Sequence, residues 1–133
     1  MIAIDSSALV ALFTGEDDAD RIAACIDEAD ARLMSAATLL EASIVLSGTR
    51  FALRDGDEWL DWLVARQEIR IEPVTALQAQ LAREAFRQYG KGRGHPAQLN
   101  FGDCFAYALA KAMDVPLLYK GNDFIHTDIA SAL

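Results

Sequence analysis

Ile2-Ala3-Ile4-Asp5-Ser6-Ser7-Ala8-Leu9 passes from an apolar run through a polar switch into a second apolar stretch. Met1 to Ile4 has the length of a buried strand, and Ala8, Leu9, Ala11, Leu12 and Phe13 suggest a helix. The same alternation continues outward from this segment. After the break Thr14-Gly15-Glu16-Asp17-Asp18, residues Ile22, Cys25, Ile26 and Ala29 recur at helical spacing up to Asp30. Leu33-Met34-Ser35 reads as a second strand and Ala36 to about Phe51 as a largely buried helix. Trp59, Leu60, Trp62 and Leu63 mark the apolar side of a helix from about Asp57 to Gln67. Ile69-Arg70-Ile71-Glu72-Pro73 alternates at period two and stops at proline. Thr75 can cap a helix carrying Leu77, Leu81, Ala85 and Phe86 and ending at Gly90. Lys91-Gly92-Arg93-Gly94-His95-Pro96 is a loop, Asn100 opens a helix through Met113, and Val115-Pro116-Leu117-Leu118-Tyr119 is a last apolar strand.

Short apolar strands alternating with longer helices need crossover connections, which predicts an α/β fold: a small parallel sheet with helices on both faces. A length of 133 residues suits a single domain, taken as 1–133, with no repeat and no linker. The composition, 53% hydrophobic and 24% charged with 8 Gly and 3 Pro, excludes disorder and collagen-like repeats. Twenty acidic against twelve basic residues give a net charge of −8, the wrong sign for a protein held on nucleic acid by charge alone. A phosphate substrate therefore needs a local basic patch or a bound metal.

The apolar N-terminus lacks a basic start and is interrupted by Asp5, unlike a secretory signal. The longest apolar stretch, Leu33 to Leu46, contains Glu41 and falls short of the roughly 18 to 20 residues that span a bilayer. No membrane passage is expected. Cys25 and Cys104 have no CxxC spacing and read as reduced thiols of a cytoplasmic protein.

In open parallel sheets, ligands gather beyond the carboxyl ends of the strands, and that is where the unusual carboxylates fall. Asp5 follows the first strand, Asp103 lies in the first turn of the helix after Asn100, and Asp123 follows the last strand. Each also has a plain structural role open to it. Asp5 can cap the next helix, Asp103 can complete a capping box with Asn100, and Asp123 in Gly121-Asn122-Asp123 can be turn chemistry. Glu41 is harder to dismiss, because Ala37, Thr38, Ile44 and Val45 surround it on its helix and none is basic. Burying it is costly unless something pairs it. Two carboxylates about 5 Å apart repel by roughly 3 kcal/mol at an effective dielectric of about 20, so a cluster of four calls for cations or protons. Oxygen ligands suit Mg²⁺ or Mn²⁺. Zinc is disfavoured because His95 and His126 are isolated, and no GxSxG elbow or Walker A loop is present.

Ile2 to Leu9, Glu41 within its apolar helix, Phe101-Gly102-Asp103-Cys104-Phe105-Ala106-Tyr107-Ala108-Leu109-Ala110 and Leu117-Leu118-Tyr119-Lys120-Gly121-Asn122-Asp123-Phe124 together resemble PIN-domain ribonucleases of the VapC toxin type. The resemblance covers nearly the whole chain. It implies a single PIN-like domain acting as a Mg²⁺-dependent endoribonuclease, the toxin of a type II toxin–antitoxin pair. By motif Asp5, Glu41, Asp103 and Asp123 match the four acids, with Asp5 and Asp103 as the direct metal contacts, Glu41 and Asp123 in support and Ser7 as a hydroxyl beside the site. Asn122 stands where some relatives carry another acid. The resemblance further implies an RNA substrate, a homodimer, for which the Trp59 helix is a candidate contributor, and a VapB-type antitoxin placing a basic side chain among the acids. Arg50, Arg54, Arg87, Lys91, Arg93 and Lys120 are candidate RNA contacts, and His95 is a weaker one.

Other classes fit less well. A non-catalytic PIN-like module that binds antitoxin or RNA stays open. A phospho-acceptor receiver needs an acidic pair after its first strand, where Ser6 and Ser7 stand, and a haloacid-dehalogenase-like phosphatase needs an aspartate at Ser7.

Overall fold

The computed structural model describes residues 1–48 and 55–133. In chain order the elements are β1 (Ile2–Ile4), α1 (Ser6–Thr14), α2 (Ala19–Glu28), β2 (Arg32–Ser35), α3 (Ala36–Leu46), α4 (Gly56–Arg66), β3 (Arg70–Glu72), α5 (Ala76–Tyr89), α6 (Phe101–Met113) and β4 (Leu117–Leu118). The four strands form one sheet in the order β3-β2-β1-β4, every pair parallel, with Ala3 opposite both Leu33 and Leu117. All carboxyl ends therefore lie along one edge. The chain order reverses about β1, which opens the crevice beside that strand.

Successive strand residues point to opposite faces, and each face has its own apolar layer. Ile2, Ile4, Met34 and Leu118 pack with Leu9 of α1, Ile22 and Ile26 of α2, and Leu60 and Leu63 of α4. Ala3, Leu33 and Leu117 pack with Ala85 and Tyr89 of α5, Leu109 of α6 and Phe124. The helices cover both faces, as the alternation requires. Arg32 closes one end by donating to the carbonyls of Ile26 (2.5 Å), Asp27 (3.1 Å) and Gln67 (3.2 Å), which satisfies acceptors that the ends of α2 and α4 leave free.

Several local readings hold at the level of single caps. Thr75 accepts from the Gln78 amide, and Asn100 forms a capping box with Asp103. Two expectations about α3 need correction. The helix ends at Leu46, not near Phe51: Ser47 is its C-cap and turns its hydroxyl back to the Ser43 carbonyl (2.6 Å). Nor is it largely buried, since Leu40 and Ile44 are each 62% exposed and Val45 is also open to solvent. The two tryptophans of α4 divide: Trp59 packs on Phe13 with ring centroids 5.1 Å apart, while Trp62 is 58% exposed. Cys25 and Cys104 are free thiols, and among the described residues no helix is long and apolar enough to cross a membrane.

Candidate active site

Asp5 is delivered by the last step of β1, where its amide donates to the Leu118 carbonyl (2.9 Å) and so ties it to the end of β4. Its side chain is 1% exposed and its two oxygens do different things. Oδ2 caps α1, accepting from the Ser7 amide (3.0 Å) and the Ser7 hydroxyl (2.6 Å). Oδ1 is buried without a hydrogen-bond partner. The capping role and a second role thus coexist on one carboxylate. Ser7 also accepts from the Lys120 amide (3.0 Å), fastening the start of α1 to the segment after β4.

Asp103 shows the same duality. Its Oδ2 accepts from the Asn100 amide (3.0 Å) while its own amide donates to Asn100 Oδ1 (2.9 Å), so the box fixes the carboxyl at the α6 N-terminus. Burial raises the pKa of Asp103 well above the ordinary range despite the Asn100 bond, and the charges of Asp5 and Asp123 and a side-chain hydrogen bond with Asp123 add to the rise. Burial likewise pushes Asp5 up to about 6, against the lowering effect of the Ser7 bonds and with a further contribution from Glu41. These shifts connect Asp5 to Glu41 and to Asp103, and Asp103 to Asp123.

Glu41 differs from expectation in its surroundings. It is half-buried, with the exposed flank of α3 beside it, and its Oε1 accepts from Ser6 Oγ (2.7 Å). On the other side its carboxylate lies against Gly102: a Cβ added there would stand 1.7 Å from Glu41 Oε2. Ser6 and Gly102 were not among the residues singled out by sequence. A signal existed for Gly102, because glycine in a helical turn costs about 1 kcal/mol relative to alanine and so marks a close approach. Ser6 carried no comparable sign, as its partner is 35 positions away.

Asp123 is exposed in the turn after β4. Among the described residues none of the four acids has an ion-pair partner, and Lys120 instead bonds Asp18 at 2.6 Å. Among those residues, too, no three His, Cys, Asp or Glu side chains already converge as a ligand set. The donors nonetheless fit a hard divalent ion by chemistry: they are all carboxylate oxygens, and Asp5 Oδ1 is unsatisfied in a buried position. Asp5 and Asp103 are residues that could hold it. Arg50 and Arg54 lie outside the described residues. His95 turns inward, accepting from the Ala97 amide at Nδ1 (3.0 Å) and packing edge-on to Tyr89 (5.0 Å).

A parallel sheet between two layers of helices, with buried acids at the end of β1 and the start of α6, defines a class. Residues 2–130 match the PIN domain family, and the chain belongs to it. Within that family it is of the VapC type, being 48% identical over 130 residues to Ribonuclease VapC28 of Mycobacterium tuberculosis, which covers 98% of this chain and 96% of that one. The fold is similar to that of VapC20 of Mycobacterium tuberculosis, described as a sarcin–ricin loop cleaving toxin, with a TM-score of 0.72 and 19% identity over 98% of this chain and 97% of that one. A toxin–antitoxin complex from Klebsiella pneumoniae matches at a TM-score of 0.70 and 16% identity, covering 96% and 93%. At such identities these two structures speak for the fold.

Proposed function

We propose that this chain works as one PIN-like domain, 1–133, and is a Mg²⁺-dependent endoribonuclease, the cytoplasmic toxin of a type II toxin–antitoxin pair. The observation that carries the reading is the unpartnered Asp5 Oδ1, buried within electrostatic reach of Asp103 and Glu41. The relatives named as ribonucleases support it. Asp5 and Asp103 hold the ion, with Mn²⁺ as a substitute, and Asp123 supports them from the turn after β4. When bound, the ion offsets the clustered charge, stabilises the scissile phosphate and acidifies water. Ser7 keeps the Asp5 carboxylate in one orientation, and Asn100 does the same for Asp103. Either Glu41, held by Ser6, or Asp123 would orient the attacking water or help to hold a second ion. In-line attack on phosphorus leaves a 5′-phosphate and a 3′-hydroxyl.

A VapB-type antitoxin would silence the site by inserting a cation among acids that have no ion-pair partner among the described residues. The toxin–antitoxin complex that shares the fold supports such a partner. A homodimer is also part of the proposal, supported by exposed Trp62 of α4. A monomeric mass at every concentration in analytical ultracentrifugation would contradict it.

The alternative, a PIN-like module that binds RNA or antitoxin without cutting, draws on the absence of a converged ligand set among the described residues. Single-turnover cleavage of RNA with Mg²⁺ and with EDTA separates the two. Cleavage only with the ion is expected; equal cleavage in EDTA, or none in either, removes the proposed mechanism.

A further inference from the structure

The charge of this chain is unevenly spread. Residues 83–94 carry four cations, Arg83, Arg87, Lys91 and Arg93, against one acid, Glu84, in a protein of net charge −8. Arg21, Arg70, Lys111 and Lys120 are engaged in ion pairs and Arg32 is spent on backbone carbonyls. None of the four cations in 83–94 takes part in an ion pair among the described residues, and all are exposed.

Three of them surround one aromatic ring. The Arg93 guanidinium lies 5.3 Å above the centre of Phe86, and Arg83 and Arg87 line a recess with that same ring. Arg83 and Phe86 also line the α5 wall of an apolar groove of about 460 Å³ between α5 and α6, whose α6 wall includes Phe101 and Phe105. Phe101 then lines a second recess together with Glu41 and Gly102. A path of shared lining residues thus joins the arginines, over aromatic surface, to Glu41 among the four acids. Phe101 is 79% exposed, yet it is braced edge-to-face by Phe105, with centroids 4.9 Å apart. A braced, solvent-facing ring in the recess that Glu41 and Gly102 also line is a stacking platform for a base.

We propose that Arg83, Arg87 and Arg93, gathered around Phe86, grip phosphates of a single-stranded RNA whose scissile bond lies at the acids, and that Phe101 stacks a base between them. This rests on the endoribonuclease reading above. Charge complementarity selects the occupant: a polyanion brought to an acidic protein needs local positive charge, and this path supplies it beside the site. An acidic peptide is the competing occupant.

The test is anisotropy of a fluorescein-labelled 12-nucleotide single-stranded RNA in EDTA, with wild type and the exposed triple variant R83Q/R87Q/R93Q, across a salt series. If each arginine neutralises one phosphate, the slope of log K against log salt becomes shallower by about 2, and affinity at about 0.15 M salt falls on the order of 50-fold. Phe101→Ala should weaken binding on the order of tenfold and Phe101→Trp should restore it, whereas Phe101→Leu should not. In Mg²⁺ the triple variant's single-turnover defect should reside in the RNA concentration for half-saturation. Unchanged slope and affinity overturn the proposal, as does RNA binding too weak to measure in wild type. So does a loss confined to a poly-glutamate probe, which would assign the groove to an acidic peptide. Arginine-dependent RNA binding by a wild type that never cleaves would retain the subsite and refute the nuclease reading instead.

Discussion

Asp5 is asked to satisfy helix α1 with one oxygen and is left with the other buried and unpaired. That split makes it a residue whose charge works against the folded chain when no cation is present. Asp5→Asn keeps an oxygen for Ser7 while removing the charge. It should stabilise the ion-free protein at pH 8 by roughly 1–3 kcal/mol in urea unfolding, give no gain at pH 4, and abolish cleavage. A destabilised variant at pH 8 would contradict the assignment. Gly102 offers a complementary experiment. Its absent side chain is what lets Glu41 lie beside α6, so Gly102→Ala should displace the carboxylate and cut activity by tenfold or more. Because the clash is with the end of a flexible side chain, and alanine is the better helix former by about 1 kcal/mol, the melting temperature should hold or rise. Unchanged cleavage would show that Glu41's position is not needed.

At the scale of elements, Asn100 is the residue on which both the α6 N-terminus and the Asp103 carboxyl depend. Asn100→Ala should cost about 1 kcal/mol in chemical denaturation, with a larger loss of activity than stability alone explains, and Asn100→Asp should recover the cap. Such caps, like the strand after which Asp5 falls, are local and were legible in the chain. Positions of Asp5 and Asp103 followed from them, since strand ends and helix starts share one edge of a parallel sheet. The course of α3 was not legible. Its apolar residues run all round the helix, so periodicity could not say that Leu40 and Ile44 face solvent, and the apolar run hid the stop at Ser47. Contacts joining distant segments were likewise invisible: Ser6 to Glu41, Gly102 to Glu41, and Lys120 to Asp18 are set by packing, not by spacing.

For the whole molecule, the clustered acids link stability to pH. Asp5 has a folded pKa of about 6 against 3.8 for an unperturbed side chain, and Asp103 is raised as well. Between those limits the folded state binds more protons than the unfolded one, so stability falls as pH rises. The loss begins near the ordinary carboxylate pKa and is complete above the folded one; for Asp5 alone it amounts to roughly 3 kcal/mol. Ion-free protein should therefore resist urea better at pH 5 than at pH 8, and a divalent ion should recover stability at the higher pH by binding the folded state. A profile rising from pH 5 to 8 without added ions would count against buried, mutually repelling acids.

The most direct measurement is calorimetric titration of Mn²⁺ into the wild-type protein and Asp5→Asn at pH 8. Saturable binding by the wild type, weakened at least tenfold by the substitution, is the expected result. Equal binding by both proteins, or none by the wild type, would mean that Asp5 and its neighbours do not form a metal-holding centre.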